Sequence, residues 1–226
     1  MGKRTVALDA DEVLFQFNIP LLPWLYQKHG IFLKYEDIKY YSLAKVLGIS
    51  EQEAISLIYG FYDTDEFKNL KPINGAVEGV QQLSNNYISL IYTARPLDVR
   101  DITIKNAAYL FSNFIEGIHF TNEFSNNSAQ STTKRELGLE HNILAIVEDR
   151  ASTAIDCSKG TNIWALLLAK PWNITAKLPY NVLRVDDWLG RYGIVDTIQN
   201  LPTFENKVLR FIWSYSYRFS KLFNLQ

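Results

Sequence analysis

Short apolar runs alternate with amphipathic stretches along most of the chain. Thr5-Val6-Ala7-Leu8, Ile88-Ser89-Leu90-Ile91-Tyr92, Leu144-Ala145-Ile146-Val147 and Asn162-Ile163-Trp164-Ala165-Leu166-Leu167 are almost continuously hydrophobic. A strand buried on both faces reads this way. Between these runs, Ala76 to Leu83 places Ala76, Val77, Val80 and Leu83 on one helical face. Leu97 to Phe111 and Ala151 to Lys159 read as further helices. Strands alternating with helices predict an α/β fold, a Rossmann-like doubly wound parallel sheet. Such sheets bind ligands beyond the C-terminal ends of their strands. A last short element is expected at Val185-Asp186-Asp187-Trp188.

Residues 18–71 break this rhythm. Ile19 to Tyr26 starts a helix, with prolines suited to its first turn. Ser50-Glu51-Gln52-Glu53 fits a capping box ahead of Ala54-Ile55-Ser56-Leu57-Ile58. The expected organisation is a core of residues 1–17 and 72–195, a small helical cap of residues 18–71 inserted after the first strand, and an extension of residues 196–226. The Asn- and Ser-rich stretch from Phe124 to Thr133 reads as a surface loop.

Composition adds mainly exclusions. Apolar residues at 47% and charged residues at 21% exclude a disordered tail protein, a collagen-like fibre and a disulfide scaffold. With Lys+Arg 23 against Asp+Glu 24, the net charge of −1 gives no global attraction to nucleic acid or anionic lipid. The single cysteine, Cys157, allows no intrachain disulfide and reads as a buried apolar residue. It suits a reducing, cytoplasmic setting. No apolar leader is expected after Met1-Gly2-Lys3-Arg4, and no run is long enough to span a bilayer. The sequons at Asn126 and Asn173 read as chance matches.

The candidate chemistry gathers at strand ends. Asp9-Ala10-Asp11 follows the first buried run, and Glu148-Asp149 follows the third. Carboxylates so placed are costly unless a cation or a hydrogen-bond network holds them. A hard divalent ion with oxygen ligands, most simply Mg²⁺, supplies that compensation. Thr93-Ala94-Arg95-Pro96 ends the second run, where a hydroxyl and turn N–H groups suit an anion. Lys134, at an expected helix start, offers a positive charge for a phosphoryl oxygen. A carboxylate nucleophile, a proton donor, a metal and cationic clamps together suit phosphoryl transfer.

The order Asp9-x-Asp11-x-Val13, Thr93, Lys134 and Glu148-Asp149 resembles the four motifs of the haloacid dehalogenase (HAD) superfamily of phosphohydrolases. Pro72-Ile73-Asn74-Gly75-Ala76-Val77-Glu78, followed by Tyr92-Thr93-Ala94-Arg95-Pro96, looks like the 5'-nucleotidase branch, which includes the cytosolic 5'(3')-deoxyribonucleotidases. The resemblance covers residues 4–192. It implies a phosphatase in which Asp9 attacks phosphorus and Asp11 acts as acid, then base. It implies Mg²⁺ held by Asp9, Asp11 (through its backbone carbonyl) and Asp149, with Glu148 in support. Thr93, Ala94, Arg95 and Lys134 would hold the phosphoryl group, with Arg150 as a lesser candidate. The cap would select the substrate, a small phosphate ester of nucleotide type. Other small esters, a polynucleotide end, and a non-catalytic binding protein are the alternatives. Glu12 departs from the pattern, because many relatives carry Gly there, and a larger acidic side chain is expected to narrow the entrance or repel an anion.

Two aromatic groups remain. From the cap's pool, Phe17 and Phe61 are the choices for contact with a base. The tail carries Phe204, Phe211, Trp213, Tyr215, Tyr217, Phe219 and Phe223 beside Lys207, Arg210, Arg218 and Lys221. Its spacing leaves open a helix on the core or on a second subunit, a membrane-surface contact, and a nucleic-acid contact.

Overall fold

A computed structural model describes residues 2–111, 113–123, 131–202 and 206–223. Six parallel strands form one sheet in the order β3-β2-β1-β4-β5-β6. They are β1 (Arg4–Asp9), β2 (Tyr87–Thr93), β3 (Gly117–Phe120), β4 (Ala145–Glu148), β5 (Trp164–Leu168) and β6 (Val182–Val185). The order reverses at β1. The chain builds outward through β2 and β3 on one side, then returns to β4 on the other. The C-terminal ends of β1, β2 and β4 therefore lie side by side at the switch point.

The apolar runs form strands because both faces of the sheet are covered. Val6, Leu8, Ala145, Val147, Trp164 and Leu166 point into one core cluster, and Ala7, Ile146, Ala165 and Leu167 into the other. This is the two-residue alternation of a pleated strand, with apolar residues in both phases. Helices α5 (Ala76–Ser84), α6 (Arg100–Phe111), α7 (Lys134–Glu140), α8 (Ala151–Ser158) and α9 (Ile194–Asn200) accompany the strands. Cys157 is buried on α8.

The segment after β1 is helical: α1 (Asn18–His29), α2 (Leu43–Leu47), α3 (Glu51–Tyr62) and α4 (Asp65–Lys68). The capping box is present, with Ser50 and Glu53 each bonding the other's backbone N–H. The two connections to this segment pair with each other. Gln16 N–H donates to Lys71 O at 2.9 Å, and Ile73 N–H donates to Leu14 O at 2.8 Å. Behind the loop that follows Asp9 stands the fully buried Trp188, whose Nε1–H donates to Val13 O at 2.9 Å. The indole lies on Gly79 so closely that a Cβ there would fall 2.4 Å from its Cε3.

Two strands differ from expectation. β3 has no counterpart among the expected runs. β6 lies three residues before the element expected at Val185–Trp188, because the sheet ends at Val185 and the following residues turn away to seat Trp188. The expected loop at Phe124–Thr133 lies largely outside the described residues. The sequon at Asn173 is buried, as a chance match should be.

Candidate active site

β1, β2 and β4 deliver the strand-end residues to one place. Asp9 is the last residue of β1, Thr93 the last of β2, and Glu148 the last of β4, with Asp149 next. Carboxylate oxygens of Asp9, Glu148 and Asp149 lie within 4.8 Å of one another, and all three side chains are buried. Lys134, the first residue of α7, enters between two of them. Its Nζ is 2.6 Å from Asp9 Oδ1 and 2.6 Å from Glu148 Oε1. The Thr133–Glu136 capping box fixes the start of that helix.

Three buried carboxyls around one ammonium carry a surplus of negative charge, and the titration behaviour reflects it. Burial pushes Asp9 up from the ordinary 3.8 to about 7, Lys134 opposing and Glu148 adding. Burial also raises Asp149 well above the carboxylate range, with Asp9 and Glu148 reinforcing it. Burial works against the Lys134 ammonium, but Asp9 and Glu148 outweigh it and raise its pKa. Asp149 Oδ2 accepts from Trp172 Nε1–H at 3.1 Å, while its buried Oδ1 has no hydrogen-bond partner. An orphaned carboxylate oxygen facing two other carboxyls fits a cation. The donors are all oxygen, which selects a hard divalent ion of the Mg²⁺ kind.

Asp11 has a separate environment. Its carboxylate takes a two-pronged contact from Arg95, Nε to Oδ2 at 3.0 Å and Nη2 to Oδ1 at 2.5 Å. Arg95 is itself fully buried. Its guanidinium donates to Thr103 Oγ1 at 3.1 Å and lies over the rings of Phe67 and Phe15. The side chain expected to reach a phosphoryl group is therefore committed to orienting Asp11. Thr93 is also fully buried, and its hydroxyl accepts from Arg95 N–H at 3.2 Å, shaping the turn that sets Ala94 on the cavity floor. Arg150 pairs with Glu123 at 2.7 Å and covers the Tyr41 ring at 4.7 Å.

A cavity of about 380 Å³ opens above these groups. Asp9, Asp11, Ala94 and Asp149 form its floor, and residues of α1, α3 and the segment leading into α2 form its other wall, among them Leu22, Tyr41, Ile58 and Tyr62. Phe17 lines it. Phe61 does not: it is fully buried, packed edge-on against Phe17 at 5.4 Å and Phe67 at 5.9 Å.

Glu12 sits at φ 59°, the left-handed region in which glycine is unstrained, so the pattern's Gly at this position has a backbone reason. Its carboxylate turns toward the helical segment. Oε1 accepts from Phe17 N–H at 3.0 Å and Asn18 N–H at 2.7 Å, at the start of α1. Oε2 accepts from Tyr35 Oη at 2.7 Å and Lys170 Nζ at 3.1 Å. A side chain expected to repel an anion is thus neutralised and ties β1's loop to α1 and to the loop after β5.

The site also contains residues that none of the strand-end motifs marked. Trp172 braces Asp149, and Asn173 Nδ2 donates to Asp149 O at 2.8 Å and to Leu168 O at 2.8 Å. The only signal available was their position just after a buried strand.

Among solved structures, the chain is similar to a haloacid dehalogenase-like hydrolase from Streptococcus pneumoniae. The identity is 15% and the TM-score 0.56, over 74% of this chain and 85% of that one. The fold is HAD-like. The HAD-hydrolase YfnB from Bacillus subtilis, bound to magnesium, is similar at 14% identity and TM-score 0.53, over 82% of this chain and 95% of that one. A HAD family hydrolase from Deinococcus radiodurans, with bound phosphate and sodium, is similar at 15% identity and TM-score 0.50, over 75% and 84%. No protein-family model and no curated protein matches the sequence. At these identities the HAD likeness is one of fold.

Proposed function

We propose that the chain is a divalent-cation-dependent phosphomonoesterase that works through Asp9. The observation that carries this reading is the convergence of Asp9, Glu148 and Asp149 around Lys134 at the switch point of a HAD-like sheet. Asp9, Asp149 and Glu148 would hold the cation, of which Mg²⁺ is the simplest fit. When bound, the cation neutralises the buried carboxylates and offsets charge on the phosphoryl oxygens.

Asp9 is the nucleophile. One carboxylate oxygen forms a bond to phosphorus as the bond from phosphorus to the ester oxygen breaks, leaving an aspartyl-phosphate. Asp11 is the acid–base group and, in its protonated form, gives a proton to the departing alkoxide. It then takes one from the water that attacks phosphorus and releases orthophosphate, restoring Asp9. Arg95 holds Asp11 in position and favours the ionised form that accepts a proton in the second transfer. Lys134 and the Thr93–Ala94 turn serve the phosphoryl oxygens. The helices of residues 18–71 act as a cap, excluding water and contacting the leaving group.

The substrate class is a nucleoside or deoxynucleoside monophosphate, which makes the chain a 5'-nucleotidase. A cavity of about 380 Å³ has room for a compact ligand, and its cap-side wall carries tyrosine rings suited to a base. The test is a panel of phosphate esters assayed for free phosphate with and without Mg²⁺. Nucleoside monophosphates are expected to lead and Mg²⁺ to be required. Release from sugar phosphates alone would overturn the nucleotide assignment, and release from none would overturn the phosphatase.

A further inference from the structure

Helix α10 (Lys207–Phe223) is amphipathic, and it is docked the opposite way from an ordinary surface helix. Its polar side faces the protein, together with Trp213 and Tyr217, which pack on Trp164 and Tyr192. Arg218 Nη2 donates to Val182 O at 2.9 Å and Pro179 O at 2.6 Å. Lys221 Nζ donates to Arg184 O at 3.0 Å and pairs with Asp186 at 2.7 Å. Arg210 is buried over the Trp164 ring at 4.3 Å, and Ser214 bonds Tyr180 O. Tyr217 meets Thr197 Oγ1 at 2.6 Å.

β6 explains this orientation. It is the edge strand of the sheet, and its carbonyls at 182 and 184 point away from β5. An open edge is a liability unless something covers it. The cations of α10 cover it, so they face inward and leave the helix's apolar side outward.

That outward side carries Phe211, Tyr215, Phe219 and Phe223 at four-residue spacing, with Ile212 and Leu222 beside them. In that order they are exposed by 47%, 61%, 63%, 64%, 54% and 68%. Large apolar side chains this exposed and this contiguous mark an interface.

We propose that this face is the surface on which a second copy of the chain docks, helix against helix, to form a twofold dimer. Two features select that occupant. The first is area. With aromatic side chains of 150–250 Å² each, the exposed apolar groups from Val208 to Phe223 offer roughly 900 Å², against the ~800 Å² per partner that stable interfaces use. The second is charge. Arg210, Arg218 and Lys221 are spent on the protein side, so no stripe of cations flanks the apolar residues as a helix seated on anionic lipid requires. The outward rows repeat at i and i+4, which lets two such helices interlock ridge into groove. The face shares no residue with the cavity, so the dimer stands or falls independently of the phosphatase reading.

The test is the mass of the full chain in solution, by light scattering and by sedimentation, for the parent and for the double variant Ile212→Asp/Phe219→Asp. Both substitutions fall on exposed positions, so circular dichroism and the unfolding midpoint are expected to match the parent. The parent is expected at twice the mass of one chain and the variant at half the parent's value. Three results would each overturn the proposal. One is a parent that stays monomeric at all micromolar concentrations. Another is a dimer that survives the double substitution. The third is a monomer that floats with phosphatidylserine-containing vesicles and loses that binding in the variant, which would assign the face to a membrane.

Discussion

The strand-end floor of the cavity and the wall made by α1, α2 and α3 respond to burial in opposite ways. On the floor, burial is unfavourable: it raises the pKa of Asp9 and Asp149 and sets three carboxyls around a single ammonium. On the wall, burial of Leu21 and Leu22 is itself the source of stability, at about 1.5–3 kcal/mol for a fully buried side chain of this size. The floor keeps strain that a cation and a phosphoryl group can relieve. The wall has none to relieve and is free to vary with the ligand. Chemistry and selectivity are thereby separated onto two surfaces that meet only at the cavity.

The largest effect should come from the floor. Asp9→Asn is expected to lower phosphate release by at least about 10³-fold, because the nucleophile is gone. The unfolding midpoint should hold or rise, because a buried carboxylate has been replaced by a neutral amide. Wild-type-like turnover in this variant would end the covalent mechanism. Lys134→Met comes next. It leaves Asp9 and Glu148 buried without their shared cation, a change that typically costs about 3–5 kcal/mol. Chemical denaturation in EDTA should register that loss, and Mg²⁺ should restore part of it. A variant as stable as the parent in EDTA would mean that the carboxyls are not charged.

The pH dependence sharpens the same point. A carboxyl whose pKa rises on folding, here from 3.8 to about 7, binds its proton more tightly in the folded chain. Its contribution to stability is complete below the unfolded value and is lost as pH climbs through the folded one. In EDTA, the unfolding midpoint of the parent should therefore fall between pH 5 and pH 7.5, and fall less in Asp9→Asn; an equal fall in both would exclude Asp9 as the source. The smallest effect belongs to the wall. Tyr41→Ala should raise KM for a nucleoside monophosphate about tenfold, within the ~1–3 kcal/mol that a stacked base is worth, with kcat unchanged. An equal change in kcat would place Tyr41 among the reacting groups.

What the sequence disclosed follows from how local each signal is. β1, β2, β4 and β5 were legible because both of their faces are apolar, and the capping box before α3 because its partners lie three residues apart. β3 escaped because Gly117-Ile118-His119-Phe120 is a short edge strand, only half-buried along its length. β6 was displaced because the residues after Val185 leave the sheet to seat Trp188, a tertiary fact with no local trace. The acidic residues of the site could be named from their strand ends, yet their division of labour could not. Arg95 turns to Asp11 because Phe15, Phe67 and Thr103 enclose it, and those contacts come from separate elements. Glu12 showed as a departure from a pattern. Only the folded chain reveals the positive φ beneath it and the donors from α1, Tyr35 and Lys170 that make an acid tolerable there.

The indole of Trp188 carries a further implication. It holds Val13 without lining the cavity, and it reaches that point only across a residue that lacks a side chain, Gly79. The reacting carboxyls consequently have their foundations in α5, a helix that never meets a substrate. A single methyl group at that distant position would force the beam to shift.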